Sequence, residues 1–260
     1  MIRSLWISQT GMEGQQSKLD AISNNLANVA TNGYKRAGVA FEDLVYQNLR
    51  QAGATSSDDS QLPTGLQVGL GVRVAASTRN FTQGSLQQTG GTLDVAIKGN
   101  GFLQIQLPDG TTGYTRDGSL QVDANGQIVT NSGYTVQPGI TVPSNATNVT
   151  IANDGTVTAS IPGQAAAQNL GQIQLAAFVN PAGLEPRGQN MFAETAASGT
   201  PNPGNPGDNG LGMLQQGFVE GSNVNVVEEL VSMIATQRAY ELNSKAITTS
   251  DEMLQRLGQM

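Results

Sequence analysis

The 260-residue sequence contains neither cysteine nor histidine, and these two absences exclude several classes of chemistry. Without them the chain cannot form a Ser-His-Asp or Cys-His catalytic site, a thiolate metal site or most kinds of zinc site. Disulfide bonds are excluded as well, so cysteine usage indicates nothing about the redox compartment. We therefore expect no catalytic residue, no metal and no cofactor.

Charged residues are also scarce, at 13% of the chain, and the formal net charge is -7. The 13 lysine and arginine residues form no cluster, whereas binding to nucleic acid requires a basic face that releases counterions. The same absence argues against an anionic membrane surface as a partner.

No run approaches the roughly 20 apolar residues that span a bilayer, so we expect a chain that does not cross a membrane.

A secretory signal peptide is missing from the N-terminus. Leu5, Trp6 and Ile7 form an apolar run that is too short for the hydrophobic region of such a signal, and Ser8 interrupts it. We expect the protein either to stay in the cytoplasm or to leave it by a route that does not cut the N-terminus.

Aromatic residues are few, at 5%, whereas glycine is abundant, with 32 residues. This composition is typical of a β-rich, turn-rich protein rather than of a helical enzyme. Pairs of Asp, Asn or Ser with Gly favour tight hairpins, and they occur at 109–110, 117–118, 125–126, 132–133 and 154–155. Residues 69–74 and 79–86 have the pattern of two strands joined by a turn. The spacing predicts a compact antiparallel β domain over 96–190.

The N-terminal stretch has the apolar spacing of an amphipathic helix over residues 1–30. Apolar side chains recur every seven residues, with two more at companion positions: Leu5, Met12, Leu19 and Leu26, then Ile22 and Val29. Gly11 and Gly14 weaken such a helix by roughly 1 kcal/mol each relative to alanine. Gly33 can take the left-handed conformation that follows a helix. We predict a marginally stable helix whose order comes from a partner.

The C-terminal stretch from 225 to 257 has no proline and no glycine, and it predicts a second helix starting near Val224, with Asn223 or Asn225 as its cap. Its apolar arc consists of a face and a flank, and it is wider than a two-stranded seam needs. The face contains Ala235, Ala239, Leu242, Ala246, Met253 and Leu257, and the flank contains Met233, Tyr240, Ile247 and Leu254. We expect this arc to contact a helix of its own chain and helices of neighbouring copies, which indicates a polymerising structural subunit.

These patterns predict an α+β fold in which the terminal helices pair as a coiled coil, with an extended, hairpin-containing connecting region and a central antiparallel β domain. The C-terminal helix comprises 223–260. Its residues 223–258 and the N-terminal helix, 1–32, together form an inner α domain. The connecting region comprises 33–95 and 191–222, with a hydrophilic insertion at 47–67, and the β domain comprises 96–190.

An enzyme is the main alternative class, and its chemistry would be carboxylate-based, such as the cleavage of a cell-wall glycan. The candidate acids are Asp94, Asp109, Asp117, Asp123, Asp154, Glu185 and Glu194. Three of the seven, Asp109, Asp117 and Asp154, precede glycine and are better explained as turn residues. Residues 123–126 faintly resemble a calcium loop but lack the downstream glutamate, so a hairpin is favoured. A surface-binding β module using Phe102, Tyr114 and Tyr134 would leave the terminal helices without a role.

Three blocks of the sequence resemble the bacterial flagellar rod and hook proteins. Residues 23–35 read SNNLANVATNGYK, residues 90–102 read GGTLDVAIKGNGF, and residues 221–230 read GSNVNVVEEL, followed by QRAYE at 237–241 and Lys245. The blocks occur in the family's order and span nearly the whole chain. The first block carries the family signature, at Asn24, Asn25, Leu26, Ala27, Asn28, Thr31, Gly33, Tyr34 and Lys35. Its asparagine amides are either surface groups or partners of a neighbouring helix or the following turn.

The resemblance implies a structural subunit that polymerises helically into a rigid axle of the flagellar basal body and transmits torque to the hook. The 47–67 insertion is typical of rod members and favours the distal rod; a proximal rod or hook subunit, or a secreted β-rich binding module, is the alternative. The implied partners are further copies of the chain, proximal rod proteins, the hook protein, the surrounding ring proteins and the flagellar export apparatus. The implied location is the rod that spans the periplasm, reached by type III export without a cleaved signal peptide.

Overall fold

The computed structural model describes residues 2–51, 55–57, 60–61, 64–164 and 166–258, although the side chains of residues 2, 55–57, 60–61 and 257 are outside this description. The chain divides into two compact units. The helical unit contains Met1–Leu26, Ala37–Thr78 and Asn225–Met260, and the β unit contains Ala27–Arg36 and Arg79–Val224.

Two long helices occupy the ends of the chain. Helix α1 comprises Ile2–Ala27 and helix α2 comprises Val226–Gly258. With the antiparallel strands between them, they confirm the expected α+β class. Helix α1 ends three residues earlier than expected, because the backbone turns at Asn28, whose carbonyl accepts a hydrogen bond from the Thr31 N–H at 3.2 Å.

The start of α2 distinguishes between the two expected caps. The side-chain oxygen of Asn225 accepts a hydrogen bond from the Val227 N–H at 3.1 Å, and its carbonyl accepts the first helical bond, from the Glu229 N–H at 3.0 Å. Asn225 is therefore the N-cap. Glu228 and Glu229 follow in the first turn, where negative charge is favourable to the helix dipole.

The helical unit also contains three pairs of strands. In chain order the strands are β1 (Ala37–Asp43), β2 (Gln47–Arg50), β3 (Thr55–Ser57), β4 (Ser60–Gln61), β5 (Leu66–Val68) and β6 (Val72–Arg79). Strand β1 pairs with β6, β2 with β5, and β3 with β4. The 47–67 insertion therefore begins in β2 and ends in β5, and parts of it lie outside the described residues.

The β unit contains the remaining strands. These are β7 (Leu86–Gln88), β8 (Val95–Lys98), β9 (Phe102–Gln106), β10 (Thr112–Thr115), β11 (Leu120–Val122), β12 (Ile128–Thr130), β13 (Thr135–Val136), β14 (Asn148–Ile151), β15 (Thr156–Ser160), β16 (Gln168–Gln172), β17 (Leu175–Ala177), β18 (Glu185–Gly188), β19 (Met191–Ala193), β20 (Asn202–Gly204), β21 (Met213–Gln216) and β22 (Phe218–Glu220).

The largest sheet of the β unit has the strand order β11-β12-β13-β9-β10-β19-β18, and β17 joins it by pairing with β9 and β20. A second sheet has the order β14-β15-β16, and β8 pairs with β21 and β7 with β22.

Fully buried side chains such as Leu103, Ile105, Ile173 and Leu175 form the main apolar core of the β unit. Because this core is continuous, the β unit has the burial that an independently folding domain requires.

Aromatic side chains form a second cluster, in which Phe102 and Tyr114 are buried with Phe178 and Phe192. The Tyr114 and Phe178 rings meet edge to face with centroids 4.7 Å apart. Burial, with a smaller effect of the Glu194 charge, raises the pKa of Tyr114 to about 12. Phe102 and Tyr114 are therefore core residues rather than exposed binding groups.

Four of the five predicted hairpin turns connect paired strands. Gly110, Gly126, Gly133 and Gly155 all have φ between 80° and 86°, and they join β9 to β10, β11 to β12, β12 to β13, and β14 to β15. The turn predicted at 117–118 is wrong. There the Val95 N–H donates to the Gly118 carbonyl at 3.0 Å, and a Cβ on Gly118 would lie 1.6 Å from the Val95 carbonyl oxygen. This glycine is required by a close backbone approach, not by a hairpin.

The two strands expected at 69–74 and 79–86 are also placed differently. A single strand, β6, covers 72–79, and 80–85 lies outside the strands. The Asn223 amide donates to the Asn80 and Thr82 carbonyls at 2.8 and 3.1 Å, and the Asn80 N–H donates to the Arg36 carbonyl at 2.9 Å. The Asn223 side chain and the Arg36 backbone thus satisfy backbone hydrogen-bonding groups of this stretch, so that they need no partner strand.

The expected connecting region, 33–95 and 191–222, is divided between the two units. Residues 37–78 lie in the helical unit, whereas 79–95 and 191–222 lie in the β unit with the strands of 96–190. Within the described part of the chain, neither helix combines the length and apolarity that crossing a membrane requires.

Candidate functional site

Helix α2 carries large apolar side chains on an exposed side, which we call the outer apolar face. It contains Val227, Val231, Ile234, Leu242 and Met253, each at least half exposed, with Leu242 at 68%. These positions recur at helical spacing, so they share one side of α2. A helix that packs within a single chain normally turns such side chains inward, and contiguous exposed apolar surface marks an interaction site. The outer apolar face is therefore the candidate functional site.

The buried positions of α2 are polar instead. Glu229, Thr236 and Ser250 are the α2 residues that the structure describes as buried, and Asn243 between them is half-buried. These four residues, which we call the polar line, are spaced seven residues apart. The fully buried positions of α2 are thus polar and its most exposed side carries large apolar groups. Three apolar side chains of the predicted flank are half-buried beside the polar line: Met233, Ile247 and Leu254.

Residues of α1 meet this polar line at several points. The hydroxyls of Ser4 and Ser250 lie 3.5 Å apart, and the Asn25 amide donates to the Glu229 carboxylate at 3.4 Å. Between them, a Cβ placed on Gly11 would lie 2.9 Å from the Asn243 amide nitrogen. These three approaches between α1 and α2 therefore involve small and polar groups.

Most residues predicted to pack the helices are not buried in the single chain. On the N-terminal side Ile22 is buried, whereas Leu5, Met12, Leu19, Leu26 and Val29 are half-buried. On α2, Ala239 is half-buried, Ala235, Leu242, Ala246 and Met253 are exposed, and the Leu257 side chain lies outside the described residues. The predicted α2 face is therefore not covered by α1, because the polar line occupies that position. On α1 the contact line is Ser4, Gly11 and Asn25, one residue before the predicted leucine series.

Further apolar side chains are exposed on the strands of the helical unit. Val45 is 80% exposed, and Tyr46, Leu49 and Leu66 at the edges of the 47–67 insertion are about half exposed. They extend the exposed apolar surface of the unit beyond its helices.

The signature residue Asn25 is a bonded group and not a surface group, because its amide contacts the strand that follows the turn and the neighbouring helix. Its amide nitrogen donates to the Ala37 carbonyl at 2.8 Å, its amide oxygen accepts from the Ala37 N–H at 2.9 Å, and the nitrogen also reaches Glu229 on α2. Asn25 is almost fully buried. It therefore ties α1 to the first residue of β1 and to α2.

Signature residues Asn24, Leu26 and Ala27 lie in α1, whereas those from Asn28 to Lys35 lie in a turn of the β unit. Gly33 has φ 69°, and a Cβ there would lie 2.7 Å from the Asp117 nitrogen, so a side chain is excluded. The buried Tyr34 ring lies 5.7 Å from the Arg79 guanidinium carbon, within cation–π distance. The Lys35 that follows is fully buried.

Lys35 belongs to a buried ion cluster. Its ammonium lies 2.5 Å from one oxygen of the Glu220 carboxylate, and Arg116 lies 3.2 Å from the other. Lys35 also donates to the Thr82 carbonyl and Arg116 to the Gly99 carbonyl. Burial lowers the pKa of both cations, and the Glu220 charge opposes this shift. The cluster joins segments that are remote in sequence and is a structural feature of the β unit.

Several residues of these arrangements were missed from the sequence. Glu220, Arg116, Thr236 and Ser250 were not singled out, although Glu220 directly precedes the 221–230 block and the polar line repeats every seven residues. This seven-residue spacing of polar side chains is the signal in the sequence that indicates the buried side of α2.

Three of the seven carboxylates considered for catalysis serve as turn acceptors. The Asp109, Asp123 and Asp154 carboxylates accept hydrogen bonds from Thr111, Gln127 and Thr156 N–H groups at 2.8–3.0 Å. The pKa of Asp109 is lowered chiefly by the Thr111 hydroxyl, which donates to the carboxylate at 2.6 Å, and then by the Thr111 N–H. The N–H groups of Gln127 and Thr156 are the main cause of the lowered pKa of Asp123 and Asp154. Residues 123–126 accordingly form a hairpin turn between β11 and β12.

Three family models match separate parts of the chain. Residues 5–35 match "Flagella basal body rod protein", residues 96–159 match "Flagellar hook protein FlgE/F/G D1 domain", and residues 215–260 match "Flagellar basal body rod FlgEFG protein C-terminal". The first match contains most of α1 and the whole signature, and the last contains the whole of α2.

Curated relatives match over the full length. The flagellar basal-body rod protein FlgG of Buchnera aphidicola subsp. Acyrthosiphon pisum is 57% identical over 260 residues, covering 100% of both chains. FlgG of Caulobacter vibrioides is 48% identical, covering 100% of this chain and 99% of its own. FlgG of Bacillus subtilis is 41% identical, covering 99% and 98%. The likeness therefore includes the helices, the connecting strands and the β unit.

Proposed function

The chain belongs to the family of flagellar basal-body rod proteins, and we propose that it polymerises into the distal rod through the outer apolar face of α2. It is a structural subunit of the flagellar basal body and not an enzyme. The observation that carries the proposal is the exposure of large apolar side chains on the outer apolar face of α2, while the fully buried positions of the same helix are polar.

The terminal helices form the inner part of the proposed polymer. We infer that α1 and α2 of one subunit pair as a coiled coil, with 1–32 and 223–260 as an inner α domain and 96–190 as a β domain outside it. Isolated helices of this length are marginal in water, whereas burying each leucine or isoleucine contributes roughly 1.5–3 kcal/mol. Half-buried Leu5, Met12, Leu19, Leu26 and Val29 and the exposed face of α2 leave that contribution to neighbouring copies.

The 47–67 insertion has a separate role in this proposal. Its exposed edge residues, Leu49 and Leu66, offer apolar surface to neighbouring subunits. Insertion between neighbours would make the polymer stiff, and deletion of 47–67 is expected to give a tube that bends.

The wider setting follows from the same assignment. We infer that the rod spans the periplasm, that its subunits leave the cell through the flagellar export apparatus without a cleaved signal, and that proximal rod proteins, the hook protein and the surrounding ring are its neighbours. Marginal helices suit a subunit that must pass through a narrow channel before it assembles.

The experiment compares Leu242→Asp with Gln237→Asp, a matched variant that adds the same charge at an exposed polar position of α2. We expect the parent and Gln237→Asp to form straight tubes in electron micrographs as concentration rises, and Leu242→Asp to form none, because a carboxylate would be buried between subunits. Tubes formed equally well by Leu242→Asp would refute the role of the outer apolar face.

A further inference from the structure

The three approaches described above between α1 and α2 belong to one alignment of the two helices. From Ser4 to Gly11 the chain advances seven residues, while their partners go back seven, from Ser250 to Asn243. From Gly11 to Asn25 it advances fourteen, and the partners go back fourteen, to Glu229. Three independent contacts thus define a single antiparallel register, in heptad steps that bring the same side of each helix to the seam.

The groups in this seam contribute direction rather than apolar burial. Hydroxyls, amides and a carboxylate bury little apolar surface, so they add little to the free energy of pairing. Their hydrogen bonds, however, form in one alignment and are lost in others. A polar group at a core position of a helix pair fixes register at a cost in stability.

Asn25 anchors this alignment to the rest of the helical unit. Its amide is held on both sides by the backbone of Ala37, so its position along the seam is fixed by β1. From that position it reaches Glu229, which is almost fully buried. A slip of one heptad would move Glu229 by about 10 Å along the axis, out of reach of Asn25.

We propose that the polar line of α2 and the α1 residues that contact it, Ser4, Gly11 and Asn25, form a register lock. This register lock sets the alignment of the terminal helices without supplying the free energy of assembly. That free energy comes from the outer apolar face, on the other side of the same helix. This inference rests on the proposed function, since a subunit whose helices are misaligned would present the outer apolar face at the wrong height to its neighbours.

The absence of cysteine from the chain makes disulfide trapping a clean test. The double variant Ser4→Cys/Ser250→Cys reports the observed register. Ser4→Cys/Asn243→Cys and Gly11→Cys/Ser250→Cys report a slip of one heptad in either direction. Under mild oxidation we expect the first pair to form its intrachain disulfide at least about tenfold more than either slipped pair, since a slipped pair lies about 10 Å apart. Non-reducing electrophoresis and mass spectrometry measure the ratio.

Asn25→Leu, added to each pair, tests the lock itself. We expect the ratio of observed to slipped disulfide to fall by about tenfold, as for a polar core residue that specifies register, although the change lies far along α1 from both trapped positions. Val231→Ser, on the outer apolar face, is the control and is expected to leave the ratio unchanged. Should Asn25→Leu disturb folding, Glu229→Leu gives the same test, with Glu229→Gln as the conservative variant that retains the ratio.

The proposal is overturned if the observed pair has no preference over the slipped pairs, or if the ratio survives both Asn25→Leu and Glu229→Leu. Electron microscopy of the same samples separates this failure from that of the proposed function. Absence of tubes in the parent counts against polymerisation. If tubes form but the ratio of observed to slipped disulfide is unchanged in Asn25→Leu and Glu229→Leu, the register lock alone is contradicted.

Discussion

The helical unit and the β unit distribute their apolar side chains in opposite ways. Among the described residues, the β unit buries a continuous apolar core, and its large exposed apolar side chains are Val122, Val179 and Met213. In the helical unit Ile22 is the buried apolar residue, while α2, the start of α1 and the strands between 37 and 78 expose theirs. The β unit is thus complete by itself, and the helical unit has the surface of a part whose core is made with other molecules.

Their buried polar groups differ in the same sense. In the β unit, Glu220 is enclosed by Lys35, Arg116 and the Gly84 N–H, so that a charged cluster is held inside a finished fold. In the helical unit the buried polar groups lie along the contact between two helices that are weak alone. Polar burial therefore adds specificity in both units, but only the β unit combines it with enough apolar burial to be stable.

The largest effect that would test this difference is expected for Glu220→Ala. The substitution leaves Lys35 and Arg116 buried without a counter-charge, and we expect the free energy of unfolding of the β unit to fall by about 3–5 kcal/mol. Denaturant unfolding followed by circular dichroism measures it.

The matched control is Glu241→Ala, which removes an exposed ion pair with Arg238 on α2. Such pairs contribute little, so its unfolding curve should overlay that of the parent. Equal losses for the two variants would mean that the buried cluster is no more structural than a surface pair.

Leucine substitutions in each unit give the next largest effect. Leu103→Ala empties a fully buried position of the main core, and we expect it to lower the free energy of unfolding by about 2–5 kcal/mol. Leu242→Ala, at the exposed face of α2, is expected to change the stability of the soluble chain by less than about 0.5 kcal/mol and to raise the concentration at which tubes form. Calorimetry and light scattering measure the two quantities.

The same two leucine variants can also contradict the contrast between the helical unit and the β unit. If Leu242→Ala destabilises the soluble chain as much as Leu103→Ala does, the outer apolar face is packed within a single chain, and the contrast between the units disappears.

Local chemistry explains what the sequence could predict. The turns at Gly110, Gly126, Gly133 and Gly155 need only two residues that tolerate their φ angles, and both helices follow from composition and spacing. The polar, turn-bonded role of the aspartates before these glycines follows from the same local rule.

Contacts between remote residues explain what it could not predict. Glu220 and Lys35 are 185 residues apart, so nothing local indicates that they meet. Gly118 follows an aspartate as the hairpin glycines do, yet its role is set by Val95 on another strand. The heptad spacing of α1 was visible, but the contact line lies one residue away from the leucines, because these helices turn polar groups toward each other.

Effects of opposite sign in the two units are expected for two glycine substitutions. In Gly118→Ala the new Cβ would meet the Val95 carbonyl oxygen, a backbone atom that cannot move without opening the strand contact, so we expect a loss of about 1–3 kcal/mol. In Gly11→Ala the new Cβ meets only the end of the flexible Asn243 side chain, while alanine favours the helix by up to about 1 kcal/mol. Helix content of the soluble chain should therefore rise in Gly11→Ala, and the melting temperature of the β unit should fall in Gly118→Ala. A loss of helix content in Gly11→Ala would mean that the seam is packed as tightly as the β core, so that the helical unit is already complete before it meets a neighbour.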